Sequence, residues 1–276
     1  MACDAEYGEA RLVLFGAPFD STTSNRPGAR FGPGAMRRES FGLETFSPYQ
    51  GKDMAGLKLF DCGDLELPYG DAATAVDIIE QTASRIISDK KIPVMLGGEH
   101  LVTLGAVRAA AKAYPDLRLI HFDAHADLRD DYMGVKYSHA CVIRRCHEEL
   151  LDGRIFQFGI RSGDKEEICW GNSHVKTRFF DFEGLGDVVE EIIRDDCHVY
   201  ITIDLDILDP GVFPGTGTPE AGGVSFKELL GAMLNVCRAK VVGCDLTELA
   251  PGIDTTGVST ATACKVLREL FLALRV

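Results

Sequence analysis

The stretch LIHFDAHADL, residues 119–128, is an apolar run of strand length that ends in Asp123, His125 and Asp127, each two residues from the next. On an extended chain that spacing points all three side chains the same way. Two carboxylates and an imidazole converging at a strand end outline a metal site. Taken alone, the short D-x-H-x-D pattern also allows a second reading, an acidic turn that contains a histidine.

Outward from this stretch the chain alternates between strand and helix patterns. Apolar runs predict a strand followed by a turn at 11–20, a short strand within 56–67, a strand that breaks at two glycines at 92–100, and strands at 117–122, 154–160, 175–182, 198–208 and 240–246. Helical spacing over 71–90, with an Asp at its start and no internal Gly or Pro, predicts a helix; further helices are expected at 101–114, 138–151, 163–171, 184–195, 225–237 and 257–274. The segment 23–40, rich in Gly, Pro and Arg, reads as a shaped, non-helical loop until about Pro33, and 127–137 as an irregular loop over the site. This alternation implies an α/β fold with a mostly parallel sheet covered by helices on both faces, in one domain over 1–276.

The composition narrows the function. Hydrophobic residues at 46% provide a sizeable core, and the acidic start MACDAEYGEA lacks the basic and apolar segments of a signal peptide. No run reaches membrane-spanning length, so no membrane partner is expected and the chain should be soluble and cytoplasmic. The formal net charge of −13 argues against a nucleic-acid partner and suits a cationic substrate or divalent metals. Nine cysteines without a CxxC pair read as small buried or semi-exposed thiols of a reducing compartment. No GxGxxG or Walker pattern calls for a nucleotide.

Other strand ends carry matching chemistry. Asp204 and Asp206 end the run VYITI, His100 follows PVML, and Glu248 follows VVGCDL. In a parallel sheet all of these fall at the carboxyl edge, where α/β proteins place ligand sites. Four aspartates beside two neutral histidines are better compensated by two divalent ions than by one. Oxygen-rich ligation with imidazole favours Mn²⁺ over structural Zn²⁺. Two metals can hold a water between them and lower its pKa towards neutrality, which makes hydrolysis the natural reaction class.

The segments GGEH (97–100), DAHAD (123–127) and TIDLDILDPGVFPGTGTPEAGG (202–223), with GAPFD, RPGARFGP and DLTELAPGID, resemble the signatures of the ureohydrolase family of arginases and agmatinases over essentially the whole chain. The resemblance implies a three-layer α/β/α sandwich, two Mn²⁺ ions per chain, release of urea from a guanidino group, and assembly as a homo-oligomer, trimer or hexamer. Carried over by motif, His100, Asp123, Asp127 and Asp204 would hold one metal and Asp123, His125, Asp204 and Asp206 the other. His139 matches the family's proton-shuttling histidine, and Glu248 the glutamate that pairs with the substrate guanidinium. Glu99 and Thr202 depart from the commoner Asp and Ser, and neither is a metal ligand. The run DLRDDYMGVKYSHA is more similar to agmatinases than to arginases, so agmatine is the expected small cationic guanidino substrate. Arg129 keeps guanidinobutyrate or another guanidino acid open, hydrolysis of a formimino group at the same metals is a further option, and a catalytically silent guanidino-binding protein is the alternative of a different class.

Overall fold

Strands buried on both faces need apolar side chains at every position, and their alternation assigns each to one of two cores. The structure, a computed structural model, describes residues 3–275; Met1, Ala2 and Val276 lie outside the description. In β1 (Leu12–Ala17), Leu12 and Leu14 enter one core while Val13 and Phe15 enter the other.

The chain continues through α1 (Gly32–Glu39), the short strands β2 (Phe46–Ser47) and β3 (Lys52–Asp53), β4 (Leu59–Asp64), α2 (Ala72–Ser88), β5 (Ile92–Gly97), α3 (Thr103–Ala113) and β6 (Arg118–Phe122). It then forms α4 (Val142–Leu150), β7 (Ile155–Ile160), α5 (Lys165–His174), β8 (Lys176–Phe179), α6 (Leu185–Arg194), β9 (His198–Asp204), α7 (Phe226–Val236), β10 (Lys240–Thr247) and α8 (Val258–Ala273). Asp71 caps α2 by accepting the Thr74 N–H at 3.0 Å, and Ser225 with Glu228 forms a capping box on α7.

Eight strands form one parallel sheet in the order β4-β1-β5-β10-β9-β6-β7-β8. Helices α2, α3 and α4 cover one face; α1, α6, α7 and α8 cover the other, giving the expected three layers. The order is not sequential. After β5 the chain skips two positions to lay down β6, β7 and β8, and later returns to fill the gap with β9 and β10. The strands that carry the predicted ligands, β5, β10, β9 and β6, are therefore four central neighbours.

Three local expectations are corrected. The segment expected to be non-helical until about Pro33 already turns through a 3-10 helix at Ala29–Phe31, which runs into α1 at Gly32; Pro33 fits there because the first helical turn needs no N–H from it, and the two-stranded β2–β3 ribbon follows where no strand is expected. The strand expected over 198–208 stops at Asp204, whose side chain accepts the Asp206 N–H at 2.9 Å and turns the chain into a 3-10 turn at Leu205–Ile207. The strand expected over 175–182 stops at Phe179, because Phe180 adopts φ 72°.

Away from the strand ends, Arg268 on α8 is buried and lies 2.5 Å from Glu269, which also accepts from Ser47 and Gln50 at 2.6 and 2.9 Å. Arg268→Leu should leave Glu269 buried without its cation and lower stability by about 3–5 kcal/mol, read by denaturant unfolding. An unchanged midpoint would show that the hydroxyl and amide partners suffice.

Among the described residues, no helix is long and apolar enough to cross a membrane.

Candidate metal centre

The sheet's central carboxyl edge gathers His100, Asp123, His125, Asp127, Asp204 and Asp206, all buried except the half-buried His125. The convergence does not come from an extended chain. Strand β6 ends at Phe122, Asp123 Oδ1 accepts the His125 N–H at 2.6 Å, and Asp127 takes φ 53°. The same turn recurs at Asp204, so each D-x-H or D-x-D pair folds its second side chain back toward the first. Asp206 ties the two turns together by accepting the Ala124 N–H at 3.2 Å.

Donor atoms fall into two groups that share Asp123. His100 Nδ1 lies 3.0 Å from Asp123 Oδ2, 3.0 Å from Asp127 Oδ2 and 3.4 Å from Asp204 Oδ2. His125 Nδ1 lies 3.1 Å from Asp206 Oδ2 and 3.6 Å from Asp123 Oδ1. The two oxygens of Asp123 thus serve different groups.

The tautomer of His100 tests whether cations fit. Thr202 Oγ1 donates to Asp245 at 2.6 Å, which leaves its oxygen to accept from His100 Nε2–H at 2.9 Å. Nδ1 then faces three carboxylates, and positive charge, a proton or a metal ion, has to sit between them. Burial also pushes Asp204 well above the carboxylate range, helped by Asp206 and Asp123, and Asp127 up to about 7. Against the same burial, the Asp123 and Asp127 carboxylates raise His100 well above its ordinary value. This donor set demands positive charge, and hard divalent ions suit its oxygens and imidazoles.

Sequence reasoning missed His121, which is fully buried and places Nε2 2.8 Å from Asp123 Oδ2. It lies close enough to count among possible ligands, but its hydrogen bonds assign another role. Gln157 Nε2 donates to Ala126 O at 2.7 Å and to His121 Nδ1 at 3.0 Å, so Nε2 carries the proton and donates to Asp123. Gln157, His121, Thr202 and Asp245 are register partners on four adjacent strands and form one buried polar row beneath the carboxylates. The spacing His121-x-Asp123 was the available signal.

Glu248 follows β10, is buried with φ 63°, and its Oε1 accepts the His100 N–H at 2.8 Å. Burial and the nearby Glu99 carboxylate push it well above its ordinary value. Glu99 itself, raised to about 7 by burial, accepts from Thr22 N–H at 2.9 Å, Thr22 Oγ1 at 2.5 Å and Thr23 Oγ1 at 3.1 Å. Gly98 permits this approach, since a Cβ there would sit 1.9 Å from the Phe19 carbonyl oxygen. The anchored loop brings Ser24 Oγ to 3.2 Å from His139 Nε2. Burial holds His139 down to about 4, so its imidazole is neutral at pH 7.

A cleft of about 180 Å³ opens on these groups, lined by His100, His125, Asp127, His139, Asp204 and Glu248, with Arg129 and Tyr132 on its outer wall. Asp130 turns away, pairing with Arg145 at 2.8 Å, and Asp131 does not line the cleft.

A model of the arginase family matches residues 10–273, and the chain belongs to that family. It is 44% identical over 277 residues to an agmatinase of Bacillus subtilis, covering 99% of this chain and 94% of the relative. It is 40% identical over 270 residues to an N(1)-aminopropylagmatine ureohydrolase of Thermococcus kodakarensis, covering 95% and 90%. The solved agmatine ureohydrolase of Thermoplasma volcanium superposes with a TM-score of 0.90 at 38% identity, covering 98% of this chain and 92% of that one.

Proposed function

We propose that this chain is an agmatinase that hydrolyses agmatine to putrescine and urea, with two Mn²⁺ ions held by His100, Asp123, Asp127 and Asp204 and by Asp123, His125, Asp204 and Asp206. The observation that carries the reading is the shared, fully buried carboxylate Asp123 between two imidazole-bearing donor groups whose histidines line a cleft together with Glu248. When bound, such a metal pair supplies a water acidic enough to lose its proton near neutral pH.

The chain's own residues do the rest. Glu248, desolvated and steered by the His100 N–H, takes the planar guanidinium and orients its carbon toward the aspartates. Neutral His139, flanked by the Ser24 hydroxyl, accepts a proton and returns it to the departing amine. Assembly as a trimer or hexamer is part of the proposal, on the family resemblance.

Arg129 favours a second reading, a guanidino acid whose carboxylate it would bind. However, its Nε lies 3.4 Å from both Asp164 and Glu167, so its charge is already compensated. Parallel urea assays of manganese-loaded protein on agmatine, arginine and guanidinobutyrate decide between them. Urea from agmatine supports the proposal, urea from guanidinobutyrate alone transfers the site to the second reading, and urea from none overturns both.

His121→Ala should weaken metal affinity about 10- to 100-fold, because Asp123 loses its orienting donor. Equilibrium dialysis against Mn²⁺ measures this, and unchanged affinity would remove His121 from the metal centre.

A further inference from the structure

A second cluster of metal-capable side chains lies away from the cleft. His147 sits on the last turn of α4, His174 is the last residue of α5, and Asp152 lies in the loop after α4. His147 Nε2 is 2.8 Å and His174 Nδ1 2.7 Å from the same oxygen, Asp152 Oδ1, and the three donor atoms lie within 4.8 Å of one another. None of the three lines the catalytic cleft.

We propose that His147, Asp152 and His174 form a separate surface site for one divalent transition-metal ion of the Zn²⁺, Ni²⁺ or Co²⁺ class. Two imidazoles and one carboxylate leave coordination positions for water and select these borderline ions over Mg²⁺ or Ca²⁺. Three further features point the same way. Two helix C-termini meet at the cluster, and both present the negative end of their peptide dipoles. Leu151, 63% exposed, takes φ 70° without gaining burial, and this strained backbone is what aims Asp152 back between the helices. Trp170 stacks on His174 at 4.2 Å and meets His147 edge-on at 4.9 Å, so both rings are oriented before any ion arrives. The half-buried histidines remain open to solvent, which gives an ion access.

An ion here clips the ends of α4 and α5 together. Helix α5 carries Glu167, whose Oε2 accepts the Leu128 N–H at 3.0 Å immediately after the DAHAD segment, so the clip steadies an element that backs the cleft.

Trp170 is the only tryptophan of the chain and reports on the site directly. Manganese-loaded protein titrated with Ni²⁺ should lose Trp170 emission saturably at one ion per chain. His147→Ala/His174→Ala should bind one Ni²⁺ fewer per chain by atomic absorption, a count that does not depend on the altered stacking. Asp152→Asn, which keeps both rings, should weaken Ni²⁺ binding more than about 10-fold. Urea release should be unchanged in these variants. Equal Ni²⁺ counts in wild type and the double variant, or unaltered quenching in Asp152→Asn, would overturn the proposal and leave the cluster as a hydrogen-bonded staple. Neither result depends on the identity of the guanidino substrate.

Discussion

Asp123→Asn is expected to lower urea release by about 10³-fold or more and to strip metal from the protein. Its two oxygens face different imidazoles, so one substitution weakens both donor groups. The amide is isosteric and can still accept the His125 N–H through its oxygen, which keeps the turn and confines the change to charge and ligation. Several kcal/mol of transition-state stabilisation come from metal-activated chemistry, and each 1.36 kcal/mol is tenfold in rate. Metal content and urea release measured on one preparation test this. Turnover undiminished in Asp123→Asn would sink the dinuclear reading.

Glu248→Gln should instead leave metal content intact and reduce kcat/KM for agmatine by about 30- to 4,000-fold. Removing one partner of a buried charge pair costs about 2–5 kcal/mol, and every 1.4 kcal/mol is tenfold. Both side chains must adopt the same left-handed backbone at φ 63°, so the comparison isolates charge from strain. The uncompensated carboxylate is held above its ordinary range by burial and Glu99, and a guanidinium relieves that penalty. Together the two variants separate metal loading from substrate capture. If Glu248→Gln loses metal as well, Glu248 belongs to the metal-binding machinery and not to the substrate.

Much of this arrangement was legible because strand ends in a parallel sheet share an edge. The apolar runs before His100, Asp123, Asp204 and Glu248 placed four polar groups there without any knowledge of strand order. The local reason was different from the one the spacing suggested. Alternation on an extended chain and a side-chain-capped turn both bring residues i and i+2 together, so D-x-H and D-x-D gave the right neighbours through the wrong backbone. What remained hidden depends on register. Gln157, Thr202 and Asp245 sit inside apolar strands, and only the pairing of β7, β6, β9 and β10 aligns them with His121. The loop at Thr22–Ser24 was equally hidden, because its partners Glu99 and His139 are 76 or more residues away.

The strand order also sets a timetable. Synthesis proceeds from the N-terminus, and in a chain complete only through β8 the pairings that join β4-β1-β5 to β6-β7-β8 do not yet exist, because β10 and β9 lie between them. His100 then belongs to one group of strands and Asp123 to the other. The last strands to emerge act as a keystone: β9, which leads into Asp204 and Asp206, pairs with β6, and β10, which leads into Glu248, pairs with β9 and β5. On the proposed ligand set, a product truncated before β9 carries the DAHAD segment without Asp204 and Asp206.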